Sequence, residues 1–299
     1  MIFKSRSNIN DELWDNCVAN SINSLVYANT WYLDAIVENW DAYVWEEEGV
    51  YTAVFPIPNR SKFGLKYVYP PFFIQQLGLF SINDNIEDYT KVALAQLELD
   101  FKFTELSLNW KSKQGEIKTN VVLSLNKSYD DLLTGFSTNH KRNIKKAQKA
   151  NHSYKSDIEV DSIVNNFRND KGAEISTLKE SDYKSFLKLC SIAKEKQTLI
   201  TRGIFENDVL ITGAVLMKFE KRLIFLFSGN SSEGKASGGL FNLLNLVIEE
   251  FAGSDLLLDF EGSMNEGLAR FYKGFGGEEE CYYFYKNNNL PTVLKWLKK

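Results

Sequence analysis

"RLIFLFSGNSSEGKASGGLFNLLNLVIEEF", residues 222–251, reads as a strand, then a loop of glycines and small residues, then a helix. The loop holds Gly229, Gly234, Gly238 and Gly239 with Ser and Ala between them. From Gly238 onward the segment is so apolar that a helix here must be buried on most sides. The first turn of any helix leaves backbone N–H groups unpaired, and the helix dipole is positive there. Glycines allow an anion to approach such a backbone closely. Gly234, Ser237, Gly238 and Gly239 are therefore candidate phosphate contacts. The other reading is a surface loop with a tightly packed helix start. Spacing alone does not separate the two, because the loop follows neither nucleotide-binding glycine pattern.

Upstream, "ITRGIFE" (200–206) and "VLITGAVLMKF" (209–219) add two strands joined by short polar turns. Downstream come a strand, "LLLDFEG" (256–262), a helix, "NEGLARFYKGF" (265–275), and a strand, "CYYFYKN" (281–287). On a strand, Asp259 and Glu261 share one face, opposite Leu258 and Phe260. Two acids at the exit of an apolar strand are costly unless they meet solvent, a partner or a substrate, so each is a candidate base. On the following helix, Leu268, Phe271, Tyr272 and Phe275 form one stripe. Tyr272 is then either a core aromatic or a proton donor at a cleft.

Further upstream lie a strand, "VVLSL" (121–125), a helix, "YDDLLTGF" (129–136), and "HKRNIKKAQK" (140–149). In the last, Lys141, Arg142, Lys145, Lys146 and Lys149 place five cations in nine residues with no acid, in a chain of formal net charge −4. As a helix, Lys141, Lys145 and Lys149 line one face and Arg142 and Lys146 an adjacent one. The run is either a solvated face or a patch for a polyanion. A longer helix, "ESDYKSFLKLCSIAKEKQ" (180–197), follows.

The first half has a similar layout. "WYLDAIVENW" (31–40) sets Leu33, Ile36, Val37 and Trp40 at helical spacing. Two strands then surround an acidic turn at Gly49, and a strand, a helix (86–101) and a strand follow. "KYVYPPFFIQQLGLF" (66–80) is either core or the lining of an acceptor groove. The Lys-, Ser-, Gln- and Gly-rich stretch at 111–120 breaks the pattern, which predicts domains at 1–118 and 119–299. The repeated layout points to a duplicated unit.

The totals fit this plan. A chain of 299 residues accommodates two ordinary domains, and 44% hydrophobic with 25% charged residues is a globular balance. The net negative charge argues against a general nucleic-acid binder. Cys17, Cys190 and Cys281 are odd in number and far apart, which predicts buried reduced thiols rather than a disulfide framework or zinc site. The only histidines, His140 and His152, flank the basic run, so neither a histidine metal site nor a Ser-His-Asp triad is expected. No apolar run approaches the roughly 20 residues of a membrane span, and the first residues lack a signal-peptide core. The expectation is a cytoplasmic protein.

The order strand, strand, Gly-rich loop, helix, strand, helix, strand resembles the GNAT (Gcn5-related N-acetyltransferase) superfamily. Tyr272-Lys273-Gly274-Phe275-Gly276 matches that family's Tyr-x-x-x-Gly segment, with Gly277 in place of the usual Phe. "VVLSLNKSYDDLLTGFSTNHKRNIKKAQKAN" (121–151) resembles the opening of the second domain of Fem-type peptidyltransferases. Ser137, Lys141, Arg142, Asn143, Ile144, Lys145, Lys146 and Ala147 match its Ser-x-x-x-Arg-Arg-Asn-Ile-Arg-Lys-Ala segment in order. The resemblance implies an α+β fold of tandem GNAT-like domains, each a mixed, mostly antiparallel sheet flanked by helices. Residues 1–118 would be the degenerate twin and 119–299 the acyltransferase domain. It further implies acyl-CoA as co-substrate, its pyrophosphate on the glycine loop and its arm between splayed strands. Lys141, Arg142 and Lys145 would add cationic contacts, Tyr272 would be the acid for the leaving thiolate, and Glu261 or Asp259 the base. The expected reaction is acyl transfer to a small-molecule or peptide amine, without a metal. The helical arm of aminoacyl-tRNA-using members is not visible, which counts against a tRNA donor. A degenerate protein that binds a carrier or peptide without turnover, and an RNA-binding module supported by the basic run alone, are the remaining classes.

Overall fold

The computed structural model describes residues 1–62, 64–150, 152–170, 172, 178–261, 264–292 and 295. Two compact units divide the chain, Met1–Lys118 with Cys281–Lys299, and Thr119–Glu280.

The first unit contains β1 (Ile2–Ser5), α1 (Asp11–Asn20), α2 (Thr30–Ile36), β2 (Trp40–Glu47), β3 (Val50–Lys62), β4 (Leu65–Val68), β5 (Phe80–Ser81), α3 (Ile86–Asp100) and β6 (Phe103–Leu108). Glu48 and Gly49 both adopt positive φ, so the acidic turn joining β2 to β3 has the backbone a tight hairpin needs. The predicted helix over 31–40 is shorter. It stops at Ile36, and Trp40 opens β2, with its indole N–H donating to Asp34 Oδ1 at 2.8 Å. The core includes Trp14, Tyr27, Tyr32, Tyr43, Phe55 and Phe80. In the 66–80 stretch, Val68, Tyr69, Ile74, Leu77, Leu79 and Phe80 are buried, so it is largely core.

The second unit contains most of β7 (Glu116–Ser124), then α4 (Tyr129–Thr134), α5 (Thr138–Gln148), β8 (His152–Ser156), α6 (Val160–Arg168), α7 (Glu180–Glu195), β9 (Leu199–Glu206), β10 (Val209–Phe219), β11 (Arg222–Asn230), α8 (Ser232–Ser237), α9 (Gly239–Phe251), β12 (Leu257–Asp259) and α10 (Glu266–Lys273). Its sheet has the order β7-β12-β11-β10-β9-β8. Its pairs are antiparallel except β11 with β12, which is parallel. The apolar stripe of α9, with Leu243, Leu244, Val247 and Ile248, packs into a core shared with Leu223, Leu258, Phe260, Tyr272 and Phe275.

A last strand, β13 (Glu278–Asn288), begins in this unit and continues in the first. There it pairs antiparallel with β6 from Tyr283 to Asn288. Residues 281–299, assigned by the sequence reading to the second domain, therefore group with the first unit. Cys17 and Cys190 are buried free thiols, and burial pushes both up to about 12. Cys281 differs from expectation, being a free thiol on an exposed position of β13.

Candidate active site

Strands β11 and β12 run side by side for only three pairs, the last being Ile224 with Asp259. Beyond it β11 stays with β10, Phe225 opposite Leu216, while the Phe260 N–H donates to the Val121 carbonyl on β7 at 3.0 Å. The two strands thus part, and the first side chain past the fork on each arm is a phenylalanine. Tyr272 of α10 lies between them. Its ring stacks on Phe260 at 4.9 Å and meets Phe225 edge-on at 6.2 Å. Tyr272 is 6% exposed. Burial, and then the charge of Glu261, push its hydroxyl above the ordinary tyrosine value. It stays protonated at neutral pH.

The predicted alternation of Asp259 and Glu261 does not hold, because the strand ends at Asp259. Gly262, the end of the predicted strand, lies outside the described residues. Asp259 is 0% exposed. Its Oδ2 accepts from Arg222 at 2.6 Å, and its Oδ1 from the Asn120 side chain at 3.0 Å and from the Glu261 N–H at 2.8 Å. Both carboxylate oxygens of Asp259 are thus engaged within this cluster. Glu261 turns into a left-handed backbone, φ 53°, and is half-buried beside Tyr272. Glu280 completes the ion cluster with two contacts of 2.9 Å to Arg222. Burial acts to raise its carboxyl, but Arg222 overrides this and holds it below the usual carboxylate range. Arg222, Asn120 and Glu280 escaped the sequence reading, since nothing local marks three side chains so far apart as one cluster.

The glycine loop is not open. Its first part folds as α8, capped by Ser231, whose hydroxyl accepts from the Gly234 N–H. Gly238, at φ 80°, then turns the chain into α9 without a side-chain cap. Gly234 and Gly239 sit against β10. A Cβ on either would lie about 2.5 Å or less from Thr212 Oγ1, so helix-on-strand packing accounts for both. Ser237 donates to the Gly234 carbonyl within α8.

The basic run is helix α5, as its spacing predicts, and it packs on the start of α9. A Cβ on Gly238 would sit 3.3 Å from the Asn143 carbonyl. Lys146 reaches over to donate to the Ala236 carbonyl at 2.7 Å. Arg142 donates to Asn139. Lys141 and Lys145 instead line a groove of about 380 Å³ with Tyr129, Leu133 and Gln148. Of these cations, Lys146 reaches the α8–α9 corner, Lys141 and Lys145 line the α4–α5 groove, and Arg142 pairs within α5. His140, on the inner face of α5, is 4% exposed and enclosed by Phe241, Phe271 and Phe275.

No family model and no curated protein matches this sequence. Solved structures match it in shape. FemX aligns over 100% of this chain and 100% of its own at a TM-score of 0.68 and 12% identity. A conserved protein of unknown function from Bacteroides thetaiotaomicron aligns over 95% of this chain and 99% of its own, at 0.60 and 9%. A tandem GNAT protein from the clavulanic acid biosynthesis pathway aligns over 97% and 99%, at 0.52 and 10%. The chain has the double-domain GNAT fold. At these identities the likeness is one of fold, and the side chains must speak for the chemistry. Among the described residues, no three His, Cys, Asp or Glu side chains gather as a metal site would require, and no helix is long and apolar enough to cross a membrane.

Proposed function

We propose that this protein is an N-acyltransferase that moves an acyl group from an anionic carrier, acyl-CoA, to the amine of a small molecule or peptide. The observation that carries this reading is Tyr272 at the fork where β11 and β12 part, with Glu261 beside it. In the reaction the amine nitrogen attacks the thioester carbonyl carbon, the C–S bond breaks, and the thiolate and the amine each need a proton partner. Tyr272 supplies a hydrogen bond and a proton to the sulfur. Glu261 accepts the amine proton, directly or through water. A phenol raised above its ordinary value lies above a free thiol, about 8.5, so hydrogen-bond stabilisation of the developing thiolate is the larger part of its role. Carrier phosphates would lie at the uncapped start of α9, with Arg142 and Lys146 nearby and Lys141 and Lys145 farther along α5. The glycines contribute by letting α9 pack closely, and Asp259 by anchoring the turn at Glu261 rather than as the base. Such an enzyme would work in the cytoplasm, and aminoacyl-tRNA remains the second donor class to assay.

One observation favours a second reading, a protein that binds the carrier without turnover: Tyr272 is nearly enclosed by core aromatics. The deciding experiment is mass spectrometry of free CoA and acylated amine, with several acyl-CoAs against a panel of amines. Turnover that falls about 10²–10⁴-fold in Tyr272→Phe, with KM little changed, supports the enzyme. Carrier binding with no product in the wild type establishes the second reading instead.

A further inference from the structure

Helix α10 must keep its last turn still for Tyr272 to face the fork, yet the last carbonyls of any helix have no partner within it. The Gly274 N–H shares itself among them, reaching the Phe271 carbonyl at 3.1 Å, and α5 adds further partners. The Ser137 N–H donates to the Gly274 carbonyl at 2.8 Å, and His140 Nε2 lies 2.8 Å from the Phe271 carbonyl. A carbonyl only accepts, so Nε2 carries the proton and Nδ1 is bare. The Ser137 hydroxyl meets this requirement. It accepts from the His140 backbone N–H at 3.2 Å and donates to Nδ1 at 2.8 Å. Ser137 thereby fixes the tautomer that lets His140 hold α10. Burial lowers the imidazole pKa, opposed by the Phe271 bond, so the ring is neutral near pH 7. The fit leaves no slack, since a Cβ on Gly274 would fall 1.9 Å from the His140 ring.

We propose that His140, oriented by Ser137, is a positioning residue for Tyr272: its imidazole latches the carbonyl of Phe271, the residue preceding the tyrosine, and so sets where the phenol meets the substrate. The inference rests on the acyltransferase reading for its kinetic consequence, whereas the latch itself can be tested without turnover. It also gives the basic helix a second duty, because the segment that carries the cations is the one that holds the tyrosine helix.

The test uses the full chain with three substitutions. His140→Gln can still place an N–H near the Phe271 carbonyl. His140→Asn is too short to reach it but can pair with Ser137. Ser137→Ala releases the tautomer while leaving the ring in place. Amide hydrogen exchange over 271–276, read by mass spectrometry, reports the latch. Exchange there should quicken about tenfold or more in His140→Asn and Ser137→Ala and stay near wild type in His140→Gln, while protection in β9, β10 and β11 is unchanged. In the acyl-transfer assay, kcat should fall about 10- to 100-fold in His140→Asn with KM within about twofold, since small misplacements of a reacting group cost rate rather than binding. His140→Gln should recover most of that loss. Unchanged exchange in the Asn and Ala variants overturns the latch. Faster exchange with unchanged kcat overturns the positioning role. Faster exchange in a protein whose wild type transfers no acyl group leaves the latch standing and removes the acyltransferase reading instead. If His140→Asn does not fold, Ser137→Ala carries the same comparison.

Discussion

Thr212 shows how a residue can carry the site without touching chemistry. It is fully buried on β10, and its hydroxyl donates to Asn230 Oδ1 at 2.7 Å. A Cβ on Gly239 would come within 2.3 Å of that hydroxyl oxygen, and one on Gly234 within 2.5 Å. Gly239→Ala should therefore destabilise the protein by about 1–3 kcal/mol in urea unfolding, through overpacking rather than through any ligand. Thr212→Ala removes the obstructing atom. In the double variant the two losses should fall short of their sum by about 1 kcal/mol, the mark of residues in contact. Additive losses would show that the glycine answers to something other than Thr212. At this scale the sequence was half legible. The glycines were conspicuous, but a glycine that admits a phosphate and one that admits a neighbouring side chain look alike in one dimension. The partners of Asp259 were hidden for a related reason. Alternation along a strand says which face a residue takes, not that Arg222 and Asn120 wait there.

Among the elements, α5 is the most telling. Its cations were legible from spacing, and so was its helicity. Its inner face of His140, Ile144 and Ala147, packed on α9, was not read from the sequence. Other elements were missed outright. β8 is the mostly polar "HSYKS", and α6 was overlooked although Val160, Ile163, Val164 and Phe167 stand at helical spacing in it. The splitting of the cations leads to an expectation at this scale. Lys146 reaches the α8–α9 corner, with Arg142 four residues before it on α5, while Lys141 and Lys145 line the groove beside α4. Charge reversal at Arg142 and Lys146 should weaken acyl-CoA binding several-fold more than reversal at Lys141 and Lys145, measured by titration calorimetry. The log–log salt slope should be shallow, because a donor with few phosphates releases few counterions; a tRNA donor engaging most of these charges would give about −3 to −4. Equal losses from the two pairs would place the carrier along the whole helix and dissolve the distinction.

For the whole molecule, local periodicity found most of the strands and helices of both units, because burial repeats every two or 3.6 residues wherever an element faces a core. It could not say where β13 belongs. Strand pairing joins residues far apart in sequence, and β13 meets β6 across some 175 positions, Tyr283 opposite Leu108. The division between the units falls inside this one strand, after Glu280. Glu280 holds Arg222 in the second unit, and five residues later Tyr285 is 3% exposed in the first, its hydroxyl donating to Glu98 Oε1 on α3 at 2.6 Å. Burial and the Glu98 carboxylate both push the Tyr285 hydroxyl above its ordinary value, so at neutral pH it remains a donor. Removing that ring should therefore be felt unevenly. Tyr285→Ala is expected to cost about 3–5 kcal/mol, the range for a buried aromatic cut to alanine, with the loss concentrated in the first unit. Hydrogen exchange should speed up in α3 and β6 while β9, β10, β11 and α9 keep their protection, and acyl-CoA binding, assigned to the second unit, should persist. A uniform loss of protection across both units would mean that the two unfold as one.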